Sequence, residues 1–253
     1  MTLVATKLGA RFHRPVFDGV DLALRTGEVV VVFGPNGAGK STLLRMLSGI
    51  VRPASGHVRL NGEDLATLSA RVRARHIGLL LEAPDATFGF SVRELVMLGR
   101  YPHLGRLGLA SEADHAHVLR AVAQTRLDAL IDEPYPRLSS GWRQVVGLAR
   151  LLAQDAQFML LDEPTSRLDP AHALHVVATL RAEAARGKAV LAVMHDLDLA
   201  ATLADRMVVL AEGTVLADGP AAEVLAPELI ERVWKVRARR VDAGRPSIVL
   251  DRM

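Results

Sequence analysis

The chain has 253 residues, half of them apolar and none of them cysteine, which supports a sizeable globular core and excludes disulfides, thiolate zinc sites and iron–sulfur ligation. A sequence pI near 9.7 invites nucleic-acid binding. The net charge is only +3, however, and the one basic cluster, KVRARR at 235–240, has no aromatic ladder beside it, so it reads as a solvated face and no nucleic-acid partner is expected.

Apolar runs such as VVVVF at 29–33 are far too short to span a bilayer, and the opening MTLVATKLGARFH lacks the charged-then-apolar layout of a secretory signal. A soluble, cytoplasmic chain is the expectation. EVVVVF (28–33) is an apolar, β-branched run ending in glycine and predicts a buried strand. It leads into GPNGAGKS (34–41), after which STLLRMLSG has helical spacing.

From about 90 to 155 strand signals all but vanish, and this stretch reads as a helical subdomain inserted into an α/β core. One of its helices opens at Ser111, with Asp114 three residues on as a capping box. LSSGWRQ (138–144) and the amphipathic VVGLARLLAQ behind it look like the start of a helix built to hold an anion. FMLLD (158–162) and AVLAVMHD (189–196) read as further buried strands. Between them the segment 169–187 has helical spacing, with Pro170 at its start and Gly187 as its stop. VVLAEGTVLADG (208–219) predicts a hairpin turning at Glu212-Gly213. Strands alternating with helices argue for a mainly parallel sheet covered on both faces. There is no internal repeat and no low-complexity linker.

GPNGAGKS matches the phosphate-loop pattern at every fixed position and sits between a strand and a helix, the context that confirms it. Gly34, Pro35, Asn36, Gly37, Ala38, Gly39, Lys40, Ser41 and Thr42 are the candidate ATP-binding residues. The glycines let backbone N–H groups turn inward, Lys40 neutralises the β- and γ-phosphates, and the Ser41 hydroxyl ligates Mg²⁺. Asp162, ending an apolar strand, delivers a carboxylate to the metal, and Glu163 is placed to polarise the attacking water.

With GPNGAGKST, LSSGWRQ, FMLLDEP, SRLD (166–169) and VMHD (193–196) in this order and spacing, the chain resembles the ATP-binding cassette (ABC) ATPases along essentially its whole length. The resemblance implies a single cassette domain over 1–253: a P-loop NTPase (RecA-like) core with a mainly parallel sheet, the helical insertion, and an antiparallel β portion. It further implies a head-to-tail homodimer in which Ser139, Ser140 and Gly141 hold the γ-phosphate bound to the other chain and Asp169 crosses the interface. His195 would contact the γ-phosphate, and Phe12 would stack on adenine, with Phe17 as a rival. Either phenylalanine could instead be core. His115, His117, His172 and His175 form pairs on two helices without nearby carboxylates, and exposed side chains are expected rather than a metal site. The family's usual glutamine is replaced by Glu82 in IGLLLEAPD, which points to Glu82 as a further metal ligand or to a residue of a permease-contacting loop.

The segments 90–108, 111–125 and 195–234 look most like the ATPases of importers for iron–siderophore complexes, haem and vitamin B12. Such a pair of chains docks under two membrane permease subunits at the cytoplasmic face of the bacterial inner membrane and is served indirectly by a substrate-binding protein. The rival readings are a DNA-repair or chromosome ATPase, which would carry coiled-coil arms or zinc modules, and a soluble assembly ATPase.

Overall fold

The computed structural model describes residues 1–81, 89–105, 107–242 and 246–251. The chain opens with strands β1 (Thr2–Arg11), β2 (Pro15–Arg25) and β3 (Val29–Phe33), then helix α1 (Lys40–Leu47), β4 (Ser55–Leu60), β5 (Glu63–Asp64), α2 (Ala70–His76) and β6 (Ile77–Leu80). Helices α3 (Val92–Met97), α4 (Glu112–Gln124) and α5 (Ser140–Gln154) separate β6 from β7 (Phe158–Asp162). There follow α6 (Pro170–Ala185), β8 (Ala189–Val193), α7 (Leu197–Leu203), β9 (Arg206–Ala211) and β10 (Thr214–Gly219). The chain ends with α8 (Ala221–Val224), α9 (Pro227–Trp234), β11 (Arg237–Asp242) and β12 (Pro246–Asp251).

Among the described residues the central sheet runs β10-β9-β3-β8-β7-β6, parallel throughout except for β10. Its inner strands are buried on both faces, which explains why β3 is apolar at every position instead of alternating. Successive side chains serve two different cores. Val29, Val31 and Phe33 pack with residues of α5, α6, α7 and α9, whereas Val30 and Val32 pack with α1 and the N-terminal strands. Met159 and Leu161 of β7 join the first core, Phe158 and Leu160 the second. The parallel sheet is thus held between a helical layer and a layer made by α1 and an antiparallel sheet of order β2-β1-β4-β5.

The sequence reading contains no strands at β1, β2 and β4. In β1 the buried apolar side chains are Leu3 and Ala5, then Leu8 and Ala10 on either side of a buried Gly9, so the alternation changes phase in mid-strand. Lys7 lies there at φ 47°, and the pairing with β2 shifts between Ala5 and Leu8: a bulge has broken the period of two. The basic cluster at 235–240 also turns out to be structured, for Lys235 caps α9 and the following residues enter the β11–β12 hairpin.

Elsewhere the local chemistry behaves as expected. Ser111 and Asp114 form a reciprocal capping box at α4. Glu212 and Gly213, both at positive φ, turn β9 into β10. A buried ion pair, Arg100 Nε to Asp114 Oδ1 at 2.9 Å, fastens the start of α4, and Arg100 also donates to the Ala153 carbonyl at the end of α5. No helix among the described residues is long and apolar enough to cross a membrane.

Candidate active site

The phosphate loop lies at the carboxyl end of β3, where the sheet delivers its strand ends. Gly34 is required there by contact: a Cβ would fall 2.0 Å from the Leu210 carbonyl oxygen of the neighbouring strand. At Gly39, φ is 96° and a Cβ would strike the Val16 and Phe17 side chains. The loop is therefore held from two sides, by β9 and by the start of β2.

Lys40 is 7% exposed, and its ammonium donates to the carbonyls of Gly34 at 2.7 Å and Pro35 at 2.9 Å. Burial lowers its pKa, while the nearby carboxylates of Glu163 and Asp162 oppose the fall. This juxtaposition brings residues from α1 and the end of β7 to one place.

Glu163 follows β7 at φ 49°, an uncommon backbone state for a non-glycine residue. Its neighbours hold it there. Its N–H donates to the Val193 carbonyl of β8, and its own carbonyl accepts from the Gln144 amide at 3.1 Å and the Ser166 hydroxyl at 2.9 Å. With the backbone pinned, the side chain meets His195, whose Nε2 lies 2.7 Å from Glu163 Oε1. When Glu163 is ionised it accepts this bond and His195 donates from Nε2. His195 lines two hollows, one of about 190 Å³ shared with Gly34 and another of about 400 Å³ shared with Glu163.

Ser139, Ser140 and Gly141 stand in a separate hollow of about 210 Å³ together with Asp169. Ser139 caps α5 by accepting the Trp142 N–H, and Asp169 caps α6 by accepting the His172 N–H. Neither the phosphate loop nor Glu163 lines this hollow. Phe12 is 58% exposed, whereas Phe17 is 2% exposed and packed against the loop at Gly39, which separates the two rivals: Phe17 is core and Phe12 is available. Glu82 lies outside the described residues.

His115 is exposed as expected, and the other three histidines differ. His172 pairs with Asp169 and His117 faces Asp155 at 3.8 Å, so both have a carboxylate near, and His175 bonds the Gln124 carbonyl. Asp155 caps α5, a different helix from that of His117, which hid this partner, whereas Asp169 stands only three residues before His172. The role of Gln144 in holding the Glu163 carbonyl also escaped the sequence reading, although this glutamine closes LSSGWRQ.

Ser41 and Asp162 offer a hydroxyl and a carboxylate, hard oxygen donors of the kind Mg²⁺ accepts alongside phosphate oxygens and water. Asp162 lies close enough to the loop for its charge to act on Lys40, so this donor set fits the metal.

A phosphate loop on a parallel strand, two carboxylates at a neighbouring strand end and an imidazole bonded to one of them define a P-loop ATPase. Residues 17–166 match the ABC transporter family model, and the chain belongs to that family. It is 43% identical to the achromobactin transport ATP-binding protein CbrD of Dickeya dadantii, over 89% of this chain and 84% of that protein. It is 43% identical to the hemin import ATP-binding protein HmuV of Streptomyces coelicolor, over 92% and 83%. The iron(3+)-hydroxamate import ATP-binding protein FhuC of Bacillus subtilis is 36% identical over 97% and 92%. Among solved structures, a metal-chelate type ABC transporter in an inward-facing conformation superposes with a TM-score of 0.84 at 25% identity, covering 99% of this chain and 97% of the other.

Proposed function

We propose that this chain is the ATP-hydrolysing motor subunit of a membrane importer, with an iron–siderophore complex as its cargo and haem or cobalamin next in order. One observation carries the catalytic part: Lys40, Asp162, Glu163 and His195 meet at one edge of the parallel sheet, with His195 bonded to Glu163. The cargo class rests on relatives whose names refer to achromobactin, hemin and iron(3+)-hydroxamate. Those names favour import over a DNA-repair or assembly role.

In this reading the phosphate loop from Gly34 to Thr42 wraps the ATP phosphates, and the Lys40 ammonium leaves its loop carbonyls to bond the β- and γ-phosphates. Mg²⁺, held by Ser41 and Asp162, supplies positive charge to the phosphates when bound. Glu163 accepts the proton of the attacking water as general base, and His195 keeps that carboxylate oriented. Phe12 offers its exposed ring to the adenine.

Two chains pack head to tail, so that Ser139, Ser140 and Gly141 of one close over the phosphate bound by the other and Asp169 crosses the interface. Their place in a hollow apart from the phosphate loop supports this division of labour. The homodimer works at the cytoplasmic face of the inner membrane beneath permease subunits fed by a substrate-binding protein. A stretch with exposed Leu98, Tyr101, Leu107 and Leu109 supports docking to a permease.

The test is reconstitution with the membrane permease subunits and substrate-binding protein of a ferric-siderophore importer. Radiolabelled ferric-siderophore uptake into vesicles should need ATP and the intact chain, and Lys40→Ala should abolish it through lost nucleotide affinity. Uptake that continues unchanged with Lys40→Ala would rule out this role.

A further inference from the structure

The hollow at the start of α5 contains a contact that the proposed mechanism leaves unused. Trp142, the residue after Gly141, meets His172 of α6 with ring centroids 4.8 Å apart and planes at 79°. On its other side, the His172 ring places Nδ1 2.7 Å from Asp169 Oδ2, while Asp169 Oδ1 accepts the His172 backbone N–H at 2.9 Å.

An ordinary helix cap accounts for one of those carboxylate oxygens. It does not account for the second, nor for an indole set edge-on against the His172 imidazole. With both oxygens engaged, the Asp169 side chain has one orientation where a surface aspartate usually samples several. A second contact acts between the same two segments, because a Cβ on Gly141 would lie 2.9 Å from the Arg167 carbonyl oxygen. The serine–glycine turn and the turn carrying Asp169 are thereby joined twice, once through backbone and once through Trp142, His172 and Asp169.

We propose that His172 is a positioning residue for ATP hydrolysis: by joining Asp169 to Trp142 it holds the serine–glycine turn and the Asp169 turn as one preassembled face toward the neighbouring chain's nucleotide. This rests on the composite-site reading given above. It predicts a particular kinetic signature, because the residue acts on the partner's site and leaves its own chain's phosphate loop untouched.

Two substitutions separate the halves of the bridge. His172→Phe keeps a ring against Trp142 but loses the bond to Asp169, and His172→Asn keeps a donor for Asp169 but loses the ring contact. In the purified full chain, each should lower kcat on the order of tenfold, the size of a coupled network lost. ATP affinity measured on dilute, monomeric protein should stay within about twofold in both, since those groups belong to the same chain's loop. In a Glu163→Gln background, both should weaken ATP-driven dimerisation measured by sedimentation. Restoring histidine restores both readouts.

Unchanged kcat and dimerisation in both His172 variants overturn the proposal. Ser139→Arg, run beside them, tells the two ideas apart. If Ser139→Arg is inactive while the His172 variants behave as wild type, only the bridge fails. If Ser139→Arg hydrolyses ATP normally, the composite site fails and the bridge with it.

Discussion

The imidazole of His195 and the carboxylate of Glu163 are hydrogen-bonded at 2.7 Å across the ends of two strands, β8 and β7, which are themselves paired in parallel. Strand pairing sets their separation, and the left-handed backbone at Glu163 aims the carboxylate. Because the pair acts as a unit, single and double substitutions should not add. Glu163→Gln should lower turnover about 10²–10⁴-fold with ATP still bound. His195→Ala should lower it as well, and the double variant should be little worse than Glu163→Gln alone. Steady-state ATPase assays of the three proteins check this; simple multiplication of the two losses would show that the residues act independently.

The contrast between Phe12 and Phe17 yields a second expectation. Phe12→Ala should raise the ATP concentration for half-maximal activity roughly two- to tenfold, the worth of one aromatic stack, without lowering the melting temperature. Phe17→Ala empties a core position and should destabilise the fold by about 3–5 kcal/mol. Nucleotide titration and thermal melts on both variants distinguish a ligand contact from a packing residue.

Composite sites predict complementation. A Lys40→Ala chain lacks a working phosphate loop but keeps its serine–glycine turn, and a Ser139→Arg chain has the reverse defect. Mixed, they form heterodimers in which one site has both halves intact. ATPase activity in the mixture above the sum of the separate proteins is the expected result. Equality with that sum, once cross-linking shows that heterodimers have formed, would count against a single intact site turning over.

Acid should loosen the helical layer through Asp114. The Ser111 hydroxyl and amide, and then Arg100, hold this carboxyl well below its ordinary value of 3.8. A carboxylate with a depressed pKa contributes its full stability above the unfolded value, and that contribution is lost as pH falls through the range beneath it. Asp114→Asn should therefore melt lower than wild type at neutral pH, and the gap should narrow as pH drops below about 4. Arg100→Ala should cost about 1–3 kcal/mol at neutral pH, because it leaves one oxygen of a buried carboxylate without its partner while the Ser111 bonds remain. Melting curves from neutral pH downward provide the check.

Much of the proposed catalytic edge was legible in the amino-acid order alone. Phosphate binding draws on the N–H groups of consecutive residues, so GPNGAGKS carries its function within one turn of chain, and its flanking strand and helix are visible from apolar spacing. Asp162 and Glu163 were readable because an apolar strand ends at them. The Ser111 cap and the Glu212-Gly213 turn were readable because each uses neighbours along the chain.

Other features depended on segments brought together only by folding. The N-terminal sheet was hidden because the bulge at Lys7 interrupts its alternation, and only pairing with β2 and β4 makes the strand evident. Packing, not sequence spacing, determined that Phe17 is buried beneath the loop while Phe12 is exposed. The bond from Gln144 to Glu163 and the meeting of His172 with Trp142 were likewise set by tertiary structure. A local motif states which groups are present; their orientation is decided by the other strands and helices that crowd or bond them, and those partners lie far away in the chain.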